Sequence, residues 1–343
     1  MERDLYVIVL AAGKGQRMAS RNESYSKVAY PILGKPLVNY VLDAAKPLGA
    51  KETFVVVGFG GEETAKCVKG QAKVVWQKEV LGTGHAVMQV SEYLKDKDGE
   101  VIILCGDTPL LNTETIQKVL KKHTKNGNKL TICSTVLSDP EGYGRVIREK
   151  PSYRVLEVRP YAEINEEEKE IGEINSGIYI VDNKLLQEYL PKLSRENKKD
   201  EYYLSDIVGL MFKDGHQVDS YVLEDAQYIF NINDRTQLAY AAKLLRKRIN
   251  HELMLSGVSI EDPVTAYISP DVKIGKDTVI LANVEILGKC EIGPANWIGP
   301  NVTLENVTMG ENNKIIYSVI RNKDIGDNEN IGPYVHIEGK KCL

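Results

Sequence analysis

Long apolar runs are absent from this 343-residue sequence, and positive charge is nowhere gathered into a basic tail. A membrane-spanning helix needs about 20 successive apolar residues, so none is expected. The opening Met1-Glu2-Arg3-Asp4 leads straight into a short strand-like run without a secretory apolar core, and a cytoplasmic protein is expected. Lysine and arginine total 44 against 48 aspartates and glutamates, a net charge of -4. Duplex binding is driven largely by clustered cations, so nucleic acid is not expected as the principal partner. Cysteines number five, an odd count with no C-x-x-C pair, which favours reduced thiols over a disulfide framework. Two of them, Cys105 and Cys133, fall inside apolar strand-like runs and read as small buried hydrophobes. The first glycine-rich turn also lacks the Gly-Lys-[Ser/Thr] ending of a Walker A loop and the G-x-G-x-x-G dinucleotide fingerprint.

What is present falls into two parts of different period. Leu5 to Leu10 (LYVIVL), Thr53 to Val57 (TFVVV) and Val101 to Cys105 (VIILC) are short and rich in β-branched residues, as strands buried on both faces are. Helical spacing separates them, at Pro36 to Ala45 and at Thr113 to His123, where Asn112 supplies an N-cap. Such alternation predicts an α/β, Rossmann-like domain with a mostly parallel sheet, its ligands beyond the carboxyl ends of the strands. After Arg235 a long helical pattern runs from Gln237 to about Leu255. Beyond it the period becomes six: Ile268, Ile274, Ile280, Ile286, Ile292 and Ile298 open successive hexapeptides, and slipped copies begin at Met309, Ile325 and Ile331. Hexapeptide repeats predict a parallel β-helix with each aliphatic residue turned into a narrow core. The expected boundaries are a domain over 1–235, a linker helix over 236–257 and a short β-helix over 258–343.

The turn that follows the first strand, Leu10-Ala11-Ala12-Gly13-Lys14-Gly15-Gln16-Arg17-Met18, lets backbone N–H groups approach phosphate oxygens and adds two cations. Alone it is weak, because an ordinary strand–helix connection reads the same. It is followed in order by Ser26-Lys27-Val28, Leu33-Gly34-Lys35-Pro36, Gln77 with Leu81-Gly82-Thr83-Gly84-His85-Ala86, and Cys105-Gly106-Asp107-Thr108-Pro109. Gly142-Tyr143-Gly144-Arg145, Glu173-Ile174-Asn175-Ser176-Gly177, Glu201-Tyr202-Tyr203-Leu204-Ser205-Asp206 and Asn231-Ile232-Asn233-Asp234-Arg235 complete the series. With the hexapeptide tail, the set resembles the bacterial bifunctional N-acetylglucosamine-1-phosphate uridylyltransferase/glucosamine-1-phosphate acetyltransferase family, over essentially the whole chain.

That resemblance implies a reaction between UTP and N-acetylglucosamine 1-phosphate, giving UDP-N-acetylglucosamine and pyrophosphate. It implies Arg17 and Lys27 as the cations on the triphosphate, and Leu10, Ala11, Ala12, Gly13, Gln77, Gly82 and Thr83 as the nucleotide site. Gln77 offers both a donor and an acceptor to a uracil edge. Asp107 and Asn233 are the implied ligands of a magnesium ion, and Gly144, Glu157, Asn175 and Ser205 the implied sugar contacts. His85 is read as structural, since an anionic phosphate nucleophile needs no general base. Departures from the family occur at Ser26, where relatives carry proline, at Val158-Arg159-Pro160 after Glu157, and at Asn231, where glycine is usual. The family's β-helix also implies its left-handed form and a homo-oligomer, a trimer foremost. Its first acetyltransferase arginine is matched here by Glu338-Gly339, so acetyl transfer is expected to be absent. Two other readings stay open: the same chemistry on another sugar 1-phosphate such as glucose 1-phosphate, and a non-catalytic UDP-sugar-binding module.

Overall fold

A computed structural model describes residues 3–13, 15, 18, 26–58 and 60–340. The chain divides into two compact units, Met1–Tyr30 with Pro36–Arg235, and Pro31–Lys35 with Thr236–Leu343. Among the described residues no helix is long and apolar enough to cross a membrane.

In the first unit, strands β1 (Leu5–Ala11), β4 (Glu52–Val57), β5 (Lys73–Trp76), β6 (Glu100–Cys105), β7 (Leu130–Val136), β8 (Arg145–Arg148), β9 (Val155–Arg159), β10 (Glu173–Asp182) and β11 (Val218–Leu223) form one sheet. The short strands β2 (Pro31–Ile32) and β3 (Lys35–Pro36) pair with each other outside it. The sheet order is β11-β7-β10-β6-β1-β4-β5, with β8 and β9 continuing from β10. Strand β1 is parallel to both β4 and β6, whereas β10 runs antiparallel between β6 and β7.

Alternation along the strands supplies two cores. Tyr6, Ile8, Phe54, Val56, Val101 and Ile103 face one side, packing with Ala86, Val87, Leu94, Leu186, Ile207 and Met211. Val7, Val9, Val55, Val57, Ile102 and Leu104 face the other, against Val38, Val41, Leu42, Ile116 and Val119. The covering segments are helices α1 (Leu37–Ala45), α2 (Gly61–Cys67), α3 (Thr83–Met88), α4 (Ser91–Leu94), α5 (Thr113–Asn126), α6 (Asn183–Tyr189) and α7 (Asp206–Lys213). Each fully buried Val or Ile contributes roughly 1.5–3 kcal/mol, which explains why these strands carry almost no polar residues. Asn112 caps α5 by accepting from the Thr115 N–H at 2.9 Å. From β1 the chain moves to β4 and β5 on one side, then crosses to β6 on the other. That reversal opens a crevice at the carboxyl ends of β1 and β6, where a doubly wound sheet binds its ligand.

The second unit contains most of helix α8 (Arg235–Leu255), followed by stacked short parallel strands. Each early strand pairs with the one three hexapeptides further on: Val279 with Trp297, Val284 with Val302, Lys273 with Glu291. Ile268, Ile280, Ile286, Ile292, Ile298, Leu304 and Ile315 fill the interior, so the strands are consistent with a β-helix built from the repeats. The buried Asn296 donates to the carbonyls of Gly293 and Gly310, tying one coil to the next. Asn250 of α8, wholly buried, donates to the carbonyls of Pro263 and Ala266, while Ile249 and Leu253 pack on the core. Helix α8 thereby covers one end of the stack, where a solenoid otherwise exposes its interior.

Candidate active site

The crevice holds a cleft of about 540 Å³ lined by Leu10, Ala11, Ala12, Gly13, Gly15, Lys27, Gln77, Gly82, Thr83, Cys105, Asp107, Glu201 and Asn233, among others. Strand β1 delivers the first four residues at its end, and β6 delivers Cys105 and Asp107. The Gly106 N–H donates to Leu10 O at 2.9 Å and holds the two strand ends together. Gly15 has a positive φ of 58°, and a Cβ there would lie 2.8 Å from Lys27 Cβ, so the turn comes close to Lys27 only because it is glycine.

Lys27 reaches the cleft floor. Its ammonium donates to Asp107 Oδ2 at 2.5 Å and to Asn233 Oδ1 at 3.1 Å, with only 12% and 16% of the Lys27 and Asp107 side chains exposed. Asn231 Nδ2 donates to the other Asp107 oxygen at 2.9 Å, and the Ile232 N–H donates to Asp107 O at 3.0 Å. Asp107 is thus not acting as the cap of its own turn; Thr108 Oγ1 closes that turn on Cys105 O.

One carboxylate and one amide oxygen share a single cation, the ammonium. Hard oxygens placed this way suit a divalent ion that keeps most of its other positions for phosphate oxygens and water. Among the described residues no group of three or more His, Cys, Asp and Glu forms a metal cluster. The Asp107–Asn233 pair therefore fits a nucleotide-borne ion better than a closed protein cage.

Gln77 is 2% exposed; its amide donates to Gly82 O at 3.1 Å and lies 3.0 Å from His85 Nδ1. His85 Nε2 lies 3.1 Å from Gln89 Nε2, and its ring stacks on Tyr202. The ring holds Gln77 in place at the cleft wall. Gly82 has φ 106°, and a Cβ there would lie 2.5 Å from Tyr202 O, so this corner tolerates no side chain. Thr83 Oγ1 accepts the Leu204 N–H at 3.0 Å, bracing the turn on the 201–204 loop.

A second cavity of about 250 Å³ adjoins the first, sharing Leu10, Thr83 and Cys105. Gly144, Asn175 and Ser205 line it together with Tyr143, Pro160, Gly177 and Tyr179. Glu157 does not. It pairs with Arg159 on its own strand, and its Cβ lies 3.3 Å from where a side chain on Gly209 would begin. Glu157 and Glu163 also raise Asp206: burial foremost, then these two charges, push its carboxyl up to about 6. Burial and the Asp107 charge push the Cys105 thiol up to about 12, so it stays protonated. Arg17 and Lys14 lie outside the described residues. Sequence reasoning did not single out Gly15, Cys105, Glu201 or Tyr179 as site residues. Three of them had a signal, Gly15 and Glu201 inside quoted motifs and Cys105 just before Gly106-Asp107; Tyr179 is brought in by packing alone.

The fold and this cleft define a nucleotidyltransferase, and the comparisons with known proteins agree. A MobA-like NTP transferase domain is matched over residues 7–154. The bifunctional protein GlmU of Caldanaerobacter subterraneus subsp. tengcongensis is 41% identical over 340 residues, covering 99% of this chain and 73% of that protein. GlmU of Clostridioides difficile is 38% identical over 336 residues, covering 98% and 72%. A crystal structure of UDP-glucose pyrophosphorylase complexed with UDP-glucose shares the fold at a TM-score of 0.58 and 17% identity, over 71% of this chain and 99% of that one. The chain belongs to the GlmU family.

Proposed function

We propose that the protein transfers the uridylyl group of UTP to N-acetylglucosamine 1-phosphate. A phosphate oxygen of the sugar attacks the α-phosphorus, the bond to the β-phosphate oxygen breaks, and pyrophosphate leaves with the electron pair. The nucleophile is already anionic, so no proton has to be removed, and positioning with charge stabilisation carries the catalysis. The observation that supports this most is the Lys27 ammonium held between Asp107 and Asn233 on the floor of the first cavity.

Leu10, Ala11, Ala12, Gly13, Gln77, Gly82 and Thr83 receive the nucleoside, with the Gln77 amide set against the uracil edge. Lys27, joined by Arg17, neutralises the triphosphate. Asp107 and Asn233 hold magnesium, which when bound screens the charge on the phosphate oxygens. Gly144, Asn175 and Ser205 receive the sugar in the adjoining cavity. Glucose 1-phosphate is the second reading, favoured by the pairing of Glu157 with Arg159 away from that cavity's lining. No acetyl-transfer step is assigned to these 343 residues. The hexapeptide coils are taken as a left-handed β-helix that assembles the protein into a trimer, and the enzyme as cytoplasmic. In domain terms, 1–235 carries the chemistry, 236–257 links, and 258–343 assembles.

The test is product identification: UTP, N-acetylglucosamine 1-phosphate and magnesium should yield UDP-N-acetylglucosamine and equimolar pyrophosphate. Asp107→Ala should abolish turnover while leaving the circular dichroism spectrum unchanged. A fully active Asp107→Ala enzyme would remove Asp107 from the metal site.

A further inference from the structure

Strand β10 carries a local irregularity beside the second cavity. Its pairing with β7 sets Asn175 opposite Ser134 and Tyr179 opposite Ile132, so the register shifts between them. In a regular strand, residues four apart are separated by ~13 Å, too far for their side chains to bond. Here Gly177 takes a φ of 80°, Ser176 Oγ donates to Cys133 O at 2.7 Å, and the Ile178 N–H donates back to Ser176 Oγ at 3.2 Å. The resulting bulge brings the two side chains together, and Asn175 Nδ2 donates to the Tyr179 hydroxyl at 2.7 Å.

Tyr179 is 3% exposed and its ring belongs to the core, so the hydroxyl is a fixed acceptor. Burial raises the phenol above its ordinary value, keeping it neutral. With Nδ2 committed, Asn175 presents its carbonyl oxygen, which is buried and has no hydrogen-bond partner. A buried acceptor left unmade is destabilising and rewards a ligand that brings a donor. Both residues line the second cavity.

We infer that Tyr179 is a positioning residue for sugar recognition: it fixes the Asn175 amide so that Oδ1 accepts an N–H or O–H of the sugar. This rests on the uridylyltransferase reading above and adds to it a residue that acts on sugar binding through Asn175. A site with a committed acceptor selects for a donor at that point of the sugar, because a ligand lacking one leaves the oxygen unpaired.

The experiment is a steady-state double-mutant cycle on the full chain with Tyr179→Phe, Asn175→Ala and the double variant, alongside thermal unfolding of each. Tyr179→Phe should raise the KM for the sugar phosphate roughly tenfold, the loss of about one neutral hydrogen bond. The KM for UTP and kcat should stay within about twofold, because the nucleotide contacts are untouched. In the Asn175→Ala background, Tyr179→Phe should have no further effect on KM. Additive KM effects, or a Tyr179→Phe enzyme with unchanged sugar KM, overturn the inference. If Tyr179→Phe proves too unstable to assay, the same cycle is run in the cold with saturating UTP and magnesium, where bound ligand stabilises the folded enzyme, and the same KM outcomes decide. An inactive parent enzyme with every sugar phosphate indicts the uridylyltransferase reading instead.

Discussion

Replacing Lys27 by methionine separates two things that the ammonium does in this structure. It occupies Asp107 Oδ2 and Asn233 Oδ1 at 2.5 and 3.1 Å, the oxygens assigned to a divalent ion, and it is the described cation in a cleft assigned to a triphosphate. Hydrogen bonds to charged groups contribute about 1.5–3 kcal/mol net, so a divalent ion entering without nucleotide must overcome about that much to displace the ammonium. Lys27→Met removes the competitor and keeps the length of the side chain. Magnesium or manganese should therefore bind the nucleotide-free variant roughly 10- to 100-fold more tightly, as titration calorimetry would read. Turnover should fall in the opposite sense, by about 10²–10³-fold, since a cation aimed at the transferring phosphate is lost. The protein should lose about 1–3 kcal/mol of stability, less than for a fully buried pair because Asn231 Nδ2 still serves Asp107. Weaker or unchanged divalent binding together with near-normal turnover would refute the reasoning.

Three further outcomes follow from single contacts. Gly82→Ala places a Cβ 2.5 Å from Tyr202 O at a φ of 106°, so it should cost about 2–4 kcal/mol in urea unfolding and raise the KM for UTP; a neutral result means the turn moves freely. Asp206 has a folded pKa of about 6, above the roughly 3.9 of an unfolded aspartate, so the stability it lends is present below pH ~4 and is lost as pH rises through ~6. Discounted for its partial exposure, Asp206→Asn should be more stable than the parent by about 1–2 kcal/mol at pH 8 and equal to it at pH 4; a gap that ignores pH rejects the burial argument. Asn250→Ala strips two carbonyls of their buried donor and should lower the unfolding free energy by about 1–3 kcal/mol with the sugar and UTP KM values unchanged.

Much of this molecule could be read from local pattern. The strands at 5–10, 53–57 and 101–105 announced themselves because burial on both faces admits only apolar, mostly β-branched residues. The hexapeptide isoleucines did so because one residue in six must enter the same narrow core; Ile274, Ile325 and Ile331 pack against that core while only partly buried. The meeting of the residue 10–13 turn with Asp107 was legible too, since both follow strand ends and a doubly wound sheet gathers its strand ends at one crevice. Other features left no periodic trace. The antiparallel insertion of β10 between β6 and β7 depends on long-range pairing, and the bulge at Gly177 looks like any Ser-Gly in a strand. Residues 31–35 pack with the second unit although they lie inside the first in sequence. Asn231 stands where glycine is usual in the resembled family, and its amide reaches Asp107, a residue 124 positions earlier, through a contact with no local sequence signal.

The most direct test of the central claim is the rate of pyrophosphate release with UTP and magnesium, measured in parallel for N-acetylglucosamine 1-phosphate, glucose 1-phosphate and glucosamine 1-phosphate. The account predicts the highest kcat/KM for N-acetylglucosamine 1-phosphate. A higher value for glucose 1-phosphate contradicts the sugar assignment, and no release with any of the three contradicts the transferase itself.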